Sequence, residues 1–495
     1  MKKNNRLALY SLVILMVSCG GTPTNSTPDH SEHVTSSSSE EITLINPESP
    51  EYYGSVSQRA TFDDTNPNNF IQTMENGLDD NIFSSLEGAW HTDVAGGEHN
   101  GMKHHNLFYT NDGENTYLAI KGRGYYNKEE GTVDGKPEGG CIVTKEHLGP
   151  GRYEIEMSAM PREGGVTAMW TYCTTTGNEA TSQNEIDIEI GGTTNGTNFE
   201  SMWCTSWTKK TTKQTDTVDV TEDLYLNDGK IHKYTFDWYT NYNNEDVRRV
   251  DWFIDGKFIK SIEGNVVPEH ETPLWIGLWF PPLWSGRASF DKDYLLIKQI
   301  SYKAFDENQY FETCRSEPSY NKVDPSTLNI KSLDYNEIKN INKLSNPDFE
   351  TLDKASKDNS YYGWIVDSAS MGTTELTSGK TGNGYKLTAS TDTSKNYHGQ
   401  YLKQTLTNAF EGYKFSFSID AKLENSNSVG NVEIYIKNAA NKTLEKEIIP
   451  VTQLNYETIT RELTLPENAY QIEIDITAED GQVSYDNASL IYKGN

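Results

Sequence analysis

Residues 184–190 read Asn-Glu-Ile-Asp-Ile-Glu-Ile, three acids alternating with three isoleucines. Successive side chains of a strand point to opposite faces, so a period of two marks this stretch as a β-strand. Glu185, Asp187 and Glu189 then share one face, and Ile186, Ile188 and Ile190 the other. Three acids in line would repel one another on a face that did nothing but meet water. Trp170 and Tyr172 lie upstream and Trp203 and Trp207 downstream, all within strand-forming runs. Acids bordered by aromatic rings point to a carbohydrate cleft, with Glu185 and Glu189 as its working acids. The plainer alternative is an acidic edge strand that resists pairing with other chains.

The geometry of an extended strand tests that expectation. At roughly 3.3 Å per residue, the Cα atoms of Glu185 and Glu189 lie about 13 Å apart. Retaining glycosidases hold their carboxyl groups about 5–5.5 Å apart and inverting ones about 6.5–9.5 Å apart. Two Glu side chains leaning inward recover several ångström, and strand bending recovers more, so the spacing permits retention. Asp187, wedged between the two, must keep or share a proton and raises the proton affinity of its neighbours. Such an arrangement keeps one Glu protonated near neutral pH as general acid while the other stays ionised.

The rest of the chain bounds what surrounds this strand. Its 495 residues predict two to three domains. Hydrophobic residues make up 35%, but aromatics reach 11%, with 10 Trp and 29 Tyr, enough to fill a core and still furnish binding surfaces. The excess of 72 acidic over 43 basic residues, a net charge of −29, opposes nucleic acid or anionic lipid as a partner. A neutral ligand fits best.

The N-terminus reads as an export signal in residues 1–19. Lys2, Lys3 and Arg6 precede an apolar run, Leu7 to Val17, too short to span a bilayer permanently. Met16-Val17-Ser18-Cys19 resembles a bacterial lipobox, with Cys19 as the lipidated residue; an ordinary secretory signal is the alternative. Residues 20–48, rich in Ser, Thr, Pro and Gly, form a solvated tether. The expected product is exported and held at the bacterial cell surface, touching the membrane only through the lipid. The other four cysteines, Cys141, Cys173, Cys204 and Cys314, allow three pairings among which the sequence does not choose.

From residue 50 to 306 short strands alternate with Gly, Asn and Asp turns, and no long helical period appears. The run Val250–Asp255 enters Asp255-Gly256, a strong hairpin signal, and continues through Lys257–Ile262. Two sheets packed face to face are expected. Residues 307–340 read as a linker with a short helix. A second β pattern runs from 341 to 495, large enough to fold alone. The fold class is all-β: a jelly-roll β-sandwich followed by a smaller β-sandwich.

Glu185-x-Asp187-x-Glu189 resembles the catalytic signature of family-16 glycoside hydrolases, jelly-roll enzymes that act with retention. The neighbouring runs match that family in order: Gly151–Met157 and Gly165–Tyr172 before it, then Asp228–Trp238, Trp252–Gly256 and Leu274–Trp279 after it. The resemblance implies Glu185 as nucleophile, Glu189 as general acid/base and Asp187 as the electrostatic helper. It also bears on substrate. Laminarinases, agarases and carrageenases usually carry one extra residue, a bulge, before the last Glu. The regular spacing found here resembles the mixed-linkage β-glucanases and the xyloglucan- and chitin-linked transglycosylases. Asn100, Trp170 and Tyr172 match positions of the licheninase cleft, and Trp203 sits where a cleft Tyr is expected. Cys141, Val143 and Gly277 depart from it, standing where Glu, Arg and Asn are found and removing polar sugar contacts.

Rings that stack on pyranose faces are amphipathic, which nominates Trp170 and Trp279 as platforms and Trp284, in a Pro-rich loop, as a rim contact. Trp238, Trp252 and Trp275 lie in apolar strands and read as core. His99, His104 and His105 read as a polar loop cluster, without the carboxylate spacing of a metal site. In the C-terminal part, Leu344–Glu350, Gly363-Trp364 and Val483–Leu490 resemble β-sandwich carbohydrate-binding modules. Tyr361, Tyr362, Trp364 and Tyr397 are its candidate stacking residues, and a plain spacer domain is the alternative. Asp348 or Glu350 with Asp486 is a candidate for a structural Ca²⁺; no catalytic metal or other cofactor is expected.

The sequence thus leads to a monomeric, retaining, endo-acting hydrolase of β-1,3-1,4- or β-1,3-glucan. Its rivals are a transglycosylase on the same scaffold, an endo-hydrolase of an agar-type galactan or host glycan, and an inactive glycan-binding protein.

Overall fold

The structure is a computed structural model. It describes residues 61–495 apart from 89–100, 127–135, 179–180, 192–200, 220–227, 243–246, 282–284, 307–320, 354–359, 393 and 395–397. The export signal, Cys19, the tether, His99, Asn100, Trp284, Cys314 and Tyr397 lie outside the described residues. The described residues fall within one compact unit. Among the described residues no helix is long and apolar enough to cross a membrane.

The first sandwich takes seventeen strands in chain order: β1 (Phe70–Thr73), β2 (Phe83–Glu87), β3 (Leu107–Asn111), β4 (Thr116–Arg123), β5 (Gly140–Thr144), β6 (Gly151–Ser158), β7 (Val166–Cys173), β8 (Asn184–Gly191), β9 (Ser201–Lys209), β10 (Thr212–Asp219), β11 (His232–Tyr242), β12 (Val247–Ile254), β13 (Lys257–Glu263), β14 (Leu274–Trp279), β15 (Lys292–Ala304), β16 (Asn321–Val323) and β17 (Lys331–Ser332). Among the described residues they form a nine-stranded sheet, β13-β12-β11-β6-β15-β4-β3-β17 with β1 beside β15, and an eight-stranded sheet, β10-β9-β8-β7-β14-β5-β2-β16. Strands distant in sequence lie side by side, as β14 does between β7 and β5, the crossovers of a jelly-roll sandwich. The hairpin expected at Asp255-Gly256 joins β12 to β13, and both residues take the positive φ that its tight turn requires.

Alternation in sequence becomes two faces in space. Ile186, Ile188 and Ile190 are fully buried between the sheets, with Tyr153, Phe236, Trp238 and Trp252 from the opposite sheet in the same core. Burying side chains of this size stabilises the fold by roughly 1.5–3 kcal/mol each. Buried indoles still need hydrogen-bond partners. Trp238 donates to the Pro268 carbonyl at 3.0 Å, and Trp252 reaches across the core to the Asp187 carbonyl at 3.1 Å. The core assignments of Trp238 and Trp252 therefore hold.

The stretch expected as a linker is only partly one. Residues 321–323 pair with β2 and residues 331–332 pair in parallel with β3, adding an edge strand to each sheet. Their unpaired backbone groups find partners on the sandwich more cheaply than in an extended tether. The expected short helix is present as α1 (Tyr335–Lys339), capped by Asp334, which accepts from the Asn336 amide.

The second sandwich pairs a six-stranded with a five-stranded antiparallel sheet, from Ser360–Tyr361 to Gln482–Gly494. Here the sequence reading of the aromatics is corrected. Trp364 is fully buried, stacked on Phe349 at 5.0 Å and donating to the Asn346 carbonyl at 3.3 Å. Tyr362 is buried edge-on against Tyr126 of the first sandwich at 5.2 Å. Tyr361 is only partly buried, but it packs against the core. These rings hold the module together, and the first two have no face left for a sugar.

The two sandwiches meet through buried charge. Lys343 Nζ pairs with Asp293 Oδ2 at 2.5 Å, and Arg162 donates to the Lys343 carbonyl at 3.1 Å while its guanidinium lies 3.9 Å from Asp293. Burial lowers the proton affinity of both cations, and the Asp293 carboxylate opposes that shift. Tyr492 O–H to the Asp228 carbonyl at 2.8 Å and Thr407 O–H to Glu163 at 2.9 Å extend the contact. Removing one partner of a buried ion pair leaves uncompensated charge and costs about 3–5 kcal/mol. Asp293→Ala, which leaves Lys343 and Arg162 buried together, is therefore expected to lower unfolding stability by about 3 kcal/mol. Urea denaturation checks this, with Lys303→Ala, at a half-exposed ion pair, as a control that changes little.

Candidate active site

The acid strand β8 sits between β7 and β9, and both ladders run through the acids without a register shift. Glu185 lies opposite Tyr172 and Trp207, Asp187 opposite Trp170 and Thr205, and Glu189 opposite Ala168 and Trp203. The spacing read as regular is regular in space: no bulge interrupts Glu185–Glu189. All three acids stand on the outer face of the eight-stranded sheet, the face turned away from the isoleucines. Asp187 is buried, while Glu185 and Glu189 are partly exposed. The edge-strand alternative is thereby excluded, since β8 has a hydrogen-bonded neighbour on each side.

The surroundings divide the three carboxyls. Asp187 Oδ2 accepts from the Trp207 indole at 3.2 Å. Burial, with Glu185 and Glu189 on either side, raises Asp187 well above the usual carboxylate range; the Trp207 N–H acts in the opposite sense. Asp187 also hydrogen-bonds Glu185, which acts in the same raising sense. Burial pushes Glu189 up to about 7, against a Trp279 hydrogen bond that favours its ionised form. Gln183 donates its side-chain amide to Glu185 Oε2, on the side away from Asp187. One end of the strand therefore carries a carboxyl that burial holds toward its protonated form near neutrality, and the other a carboxyl that accepts from Gln183.

The aromatic residues expected here arrive on the predicted face with different exposures. Trp203 and Trp279 are partly exposed beside Glu189. Gly191 makes room for Trp203, since a Cβ there would lie 2.6 Å from its ring. Trp170 and Tyr172 are buried, with 3% and 7% of their surface exposed. Trp170 stacks on Trp275 at 6.1 Å, so it is part of a buried floor where an open platform was expected. Trp275 is buried as expected, but on this outer face and not between the sheets: it joins Leu86, Cys141, Val143, Val166 and Trp170 in a separate apolar cluster. Gly277 has a local reason. β5 approaches so closely that a Cβ at 277 would lie 2.6 Å from the Gly140 carbonyl oxygen.

Trp207 and Gln183 touch the acids and were not singled out as site residues. The signal for Trp207 was present: Trp203, Thr205 and Trp207 share a face by period two. Gln183 carried no comparable signal, because its contact depends on the chain's path before β8.

The remaining polar candidates have structural partners. His104 bonds Ser85 Oγ at 2.7 Å, and His105 bonds Glu138 at 2.6 Å, beside an Arg123–Glu138 pair at 3.1 Å. In the second sandwich Glu350 accepts from the Asn383 amide and side chain at 3.2 and 2.9 Å, and Asp486 from the Thr381 amide at 2.9 Å. A Cβ at Gly382 would fall 2.0 Å from Glu350 Oε1, and one at Gly379 would fall 2.6 Å from Asp486 Oδ2. Both carboxylates clasp the 379–383 turn, and among the described residues no three His, Cys, Asp or Glu side chains are grouped to hold a metal. Cys141 and Cys204 are buried free thiols, and Cys173 is disulfide-bonded to a partner outside the described residues.

Comparisons with known proteins bear on this site. A xylanase/beta-glucanase of Ruminococcus flavefaciens is 28% identical over 146 residues, which cover 30% of this chain and 16% of that relative's length. The Bacillus licheniformis beta-glucanase structure aligns with 47% of this chain and 97% of its own at 18% identity and a TM-score of 0.36. The Thermotoga maritima laminarinase catalytic domain aligns with 51% of this chain and 100% of its own at 17% identity and a TM-score of 0.39. Residues 98–294, which include β8 and its partners, match the model of Glycosyl hydrolases family 16.

Proposed function

We propose that the chain is a retaining, endo-acting glycoside hydrolase of a β-1,3-1,4- or β-1,3-linked glucan. The observation that carries this reading is the uninterrupted ladder that sets Glu185, Asp187 and Glu189 on one face, with burial pushing Glu189 up to about 7.

In the first step Glu185 attacks the anomeric carbon as Glu189 gives its proton to the departing oxygen, and a glycosyl ester forms on Glu185. Glu189, now ionised, takes a proton from a water molecule, whose oxygen displaces Glu185 from the anomeric carbon. The configuration is inverted twice and so retained. Asp187 holds the proton it shares with Glu185 when Glu185 must be ionised. Trp203 and Trp279 provide apolar ring surface for the sugar beside the acid. The regular ladder supports a β-glucan, as does the name of the Ruminococcus relative. Export and anchoring through Cys19, a monomeric state and a glycan-binding role for the second sandwich belong to the same proposal. The anchor and the glycan-binding role rest on sequence resemblance.

Glu185→Gln is expected to abolish reducing-sugar release from lichenan and laminarin, and equal release from variant and wild type would refute the assignment. Glu189→Gln should lower kcat by about 10²–10⁴-fold on natural glucan. Products longer than a defined oligosaccharide substrate would instead mark a transglycosylase, and turnover of agarose alone a galactanase.

The elevated Glu189 gives a pH prediction. The general acid must be protonated, so activity should fall as pH rises through about 7. The same group binds a proton in the native state that the unfolded chain releases above about 4.5, so its contribution to stability declines between about 4.5 and 7. Glu189→Gln should therefore melt a few degrees higher than wild type at pH 7, and the gap should close toward pH 4. Calorimetry at both values checks it.

A further inference from the structure

Register brings together two residues that the reaction above does not use. Lys213 on β10 lies opposite Trp207 on β9, which in turn lies opposite Glu185. The Lys213 ammonium sits 4.3 Å from the centre of the Trp207 ring, and the N–H of that ring donates to Asp187 Oδ2 at 3.2 Å. Asp187 shares its hydrogen bond with Glu185. Ammonium, indole and two carboxyls thus follow one another across three strands. An aromatic ring is negative on its faces and positive at its edge. A cation over the face is attracted to it, restrains the ring, and polarises the N–H at the edge into a better donor.

We propose that Lys213 is a positioning residue for this active site: it caps Trp207, fixes the indole that holds Asp187, and so sets how the Glu185–Asp187 pair binds its shared proton. The proposal rests on the reading of Glu185 as nucleophile.

The other groups that face the pair come from every neighbouring strand. Glu189 lies on β8 itself. Tyr172 and Trp170 face the pair from β7 and Thr205 from β9. The buried Cys204 thiol lies on the core side, and Trp252 bonds the Asp187 carbonyl from β12. On β10, Asp216 is paired with Lys260 at 3.2 Å. Lys322 lies across the sheet over Trp275 at 5.4 Å. Lys213 is the cation whose contact leads directly to the indole on Asp187.

Removing the Lys213 charge and loosening the Trp207 donor both favour the protonated pair, so both move its ionisation to higher pH. For an exposed cation–π contact the shift is about half a pH unit. Lys213→Met keeps the aliphatic stem and loses the charge; Lys213→Arg keeps a charge over the ring. The Met variant is expected to move the acidic limb of kcat/KM upward by about half a unit and leave the basic limb, set by Glu189, in place; the Arg variant should restore it. The indole ¹⁵N–¹H resonance of Trp207, assigned with Trp207→Phe, provides a readout without turnover. Its titration midpoint should move with the acidic limb. An unmoved limb together with an unmoved midpoint in the Met variant overturns the proposal. So does an equal loss of activity in both variants at every pH, which would make Lys213 merely structural. If the indole midpoint moves while wild type cleaves no β-glucan, the linkage through Lys213 stands and the proposed reaction falls.

Discussion

Everything at the candidate site depends on the way β8 is buried. Ile186, Ile188 and Ile190 lie in the core between the sheets, and Trp252 from the opposite sheet donates its indole N–H to the Asp187 carbonyl. Slipping the strand by one residue would put three acids into that core and three isoleucines outside it. Hydrophobic packing thus fixes which face the carboxyls occupy, and the Trp252 bond pins the residue between the two that would act. The chemistry on one side of the strand is positioned by apolar burial on the other.

The same strand shows how an environment separates three like groups. A carboxyl's proton affinity rises with burial and nearby negative charge and falls with each donor. Asp187 is enclosed and flanked by both glutamates, yet held by the Trp207 N–H. Glu189 is raised mainly by the packing around it. Glu185 takes a donor from Gln183 on one side and hydrogen-bonds Asp187 on the other. Distinct tasks can therefore be divided among residues that sequence alone would treat as equivalent. The neighbouring rings divide likewise. Trp170 and Trp275 stack into a buried floor, leaving Trp203, Trp207 and Trp279 with surface to offer.

The second sandwich is joined to the first by more than a covalent tether. Buried Lys343, Asp293 and Arg162 straddle the boundary, and residues 321–332 add strands to both sheets of the first sandwich. Taking charges out of water is costly unless their geometry is met, so the two sandwiches are expected to hold one arrangement. Trp364 and Tyr362, which looked like sugar platforms, are anchors of the module's core and of this boundary.

Local pattern determined a good deal of this protein. Alternation along β8, along Gly151–Ser158 and along the Asp255-Gly256 hairpin established an all-β fold, and period two placed the three acids on one face without a bulge. Those features are legible because a strand's two faces follow from its backbone geometry alone. What the sequence could not show were contacts between residues far apart in the chain. Burial of Trp170 against Trp275, the donors on Asp187 and Glu185, the clasped turn at 379–383 and the ion cluster at Lys343 all depend on which strands become neighbours. That choice belongs to the tertiary structure, because hydrogen bonding and burial are settled only when distant segments compete for the same water-free space.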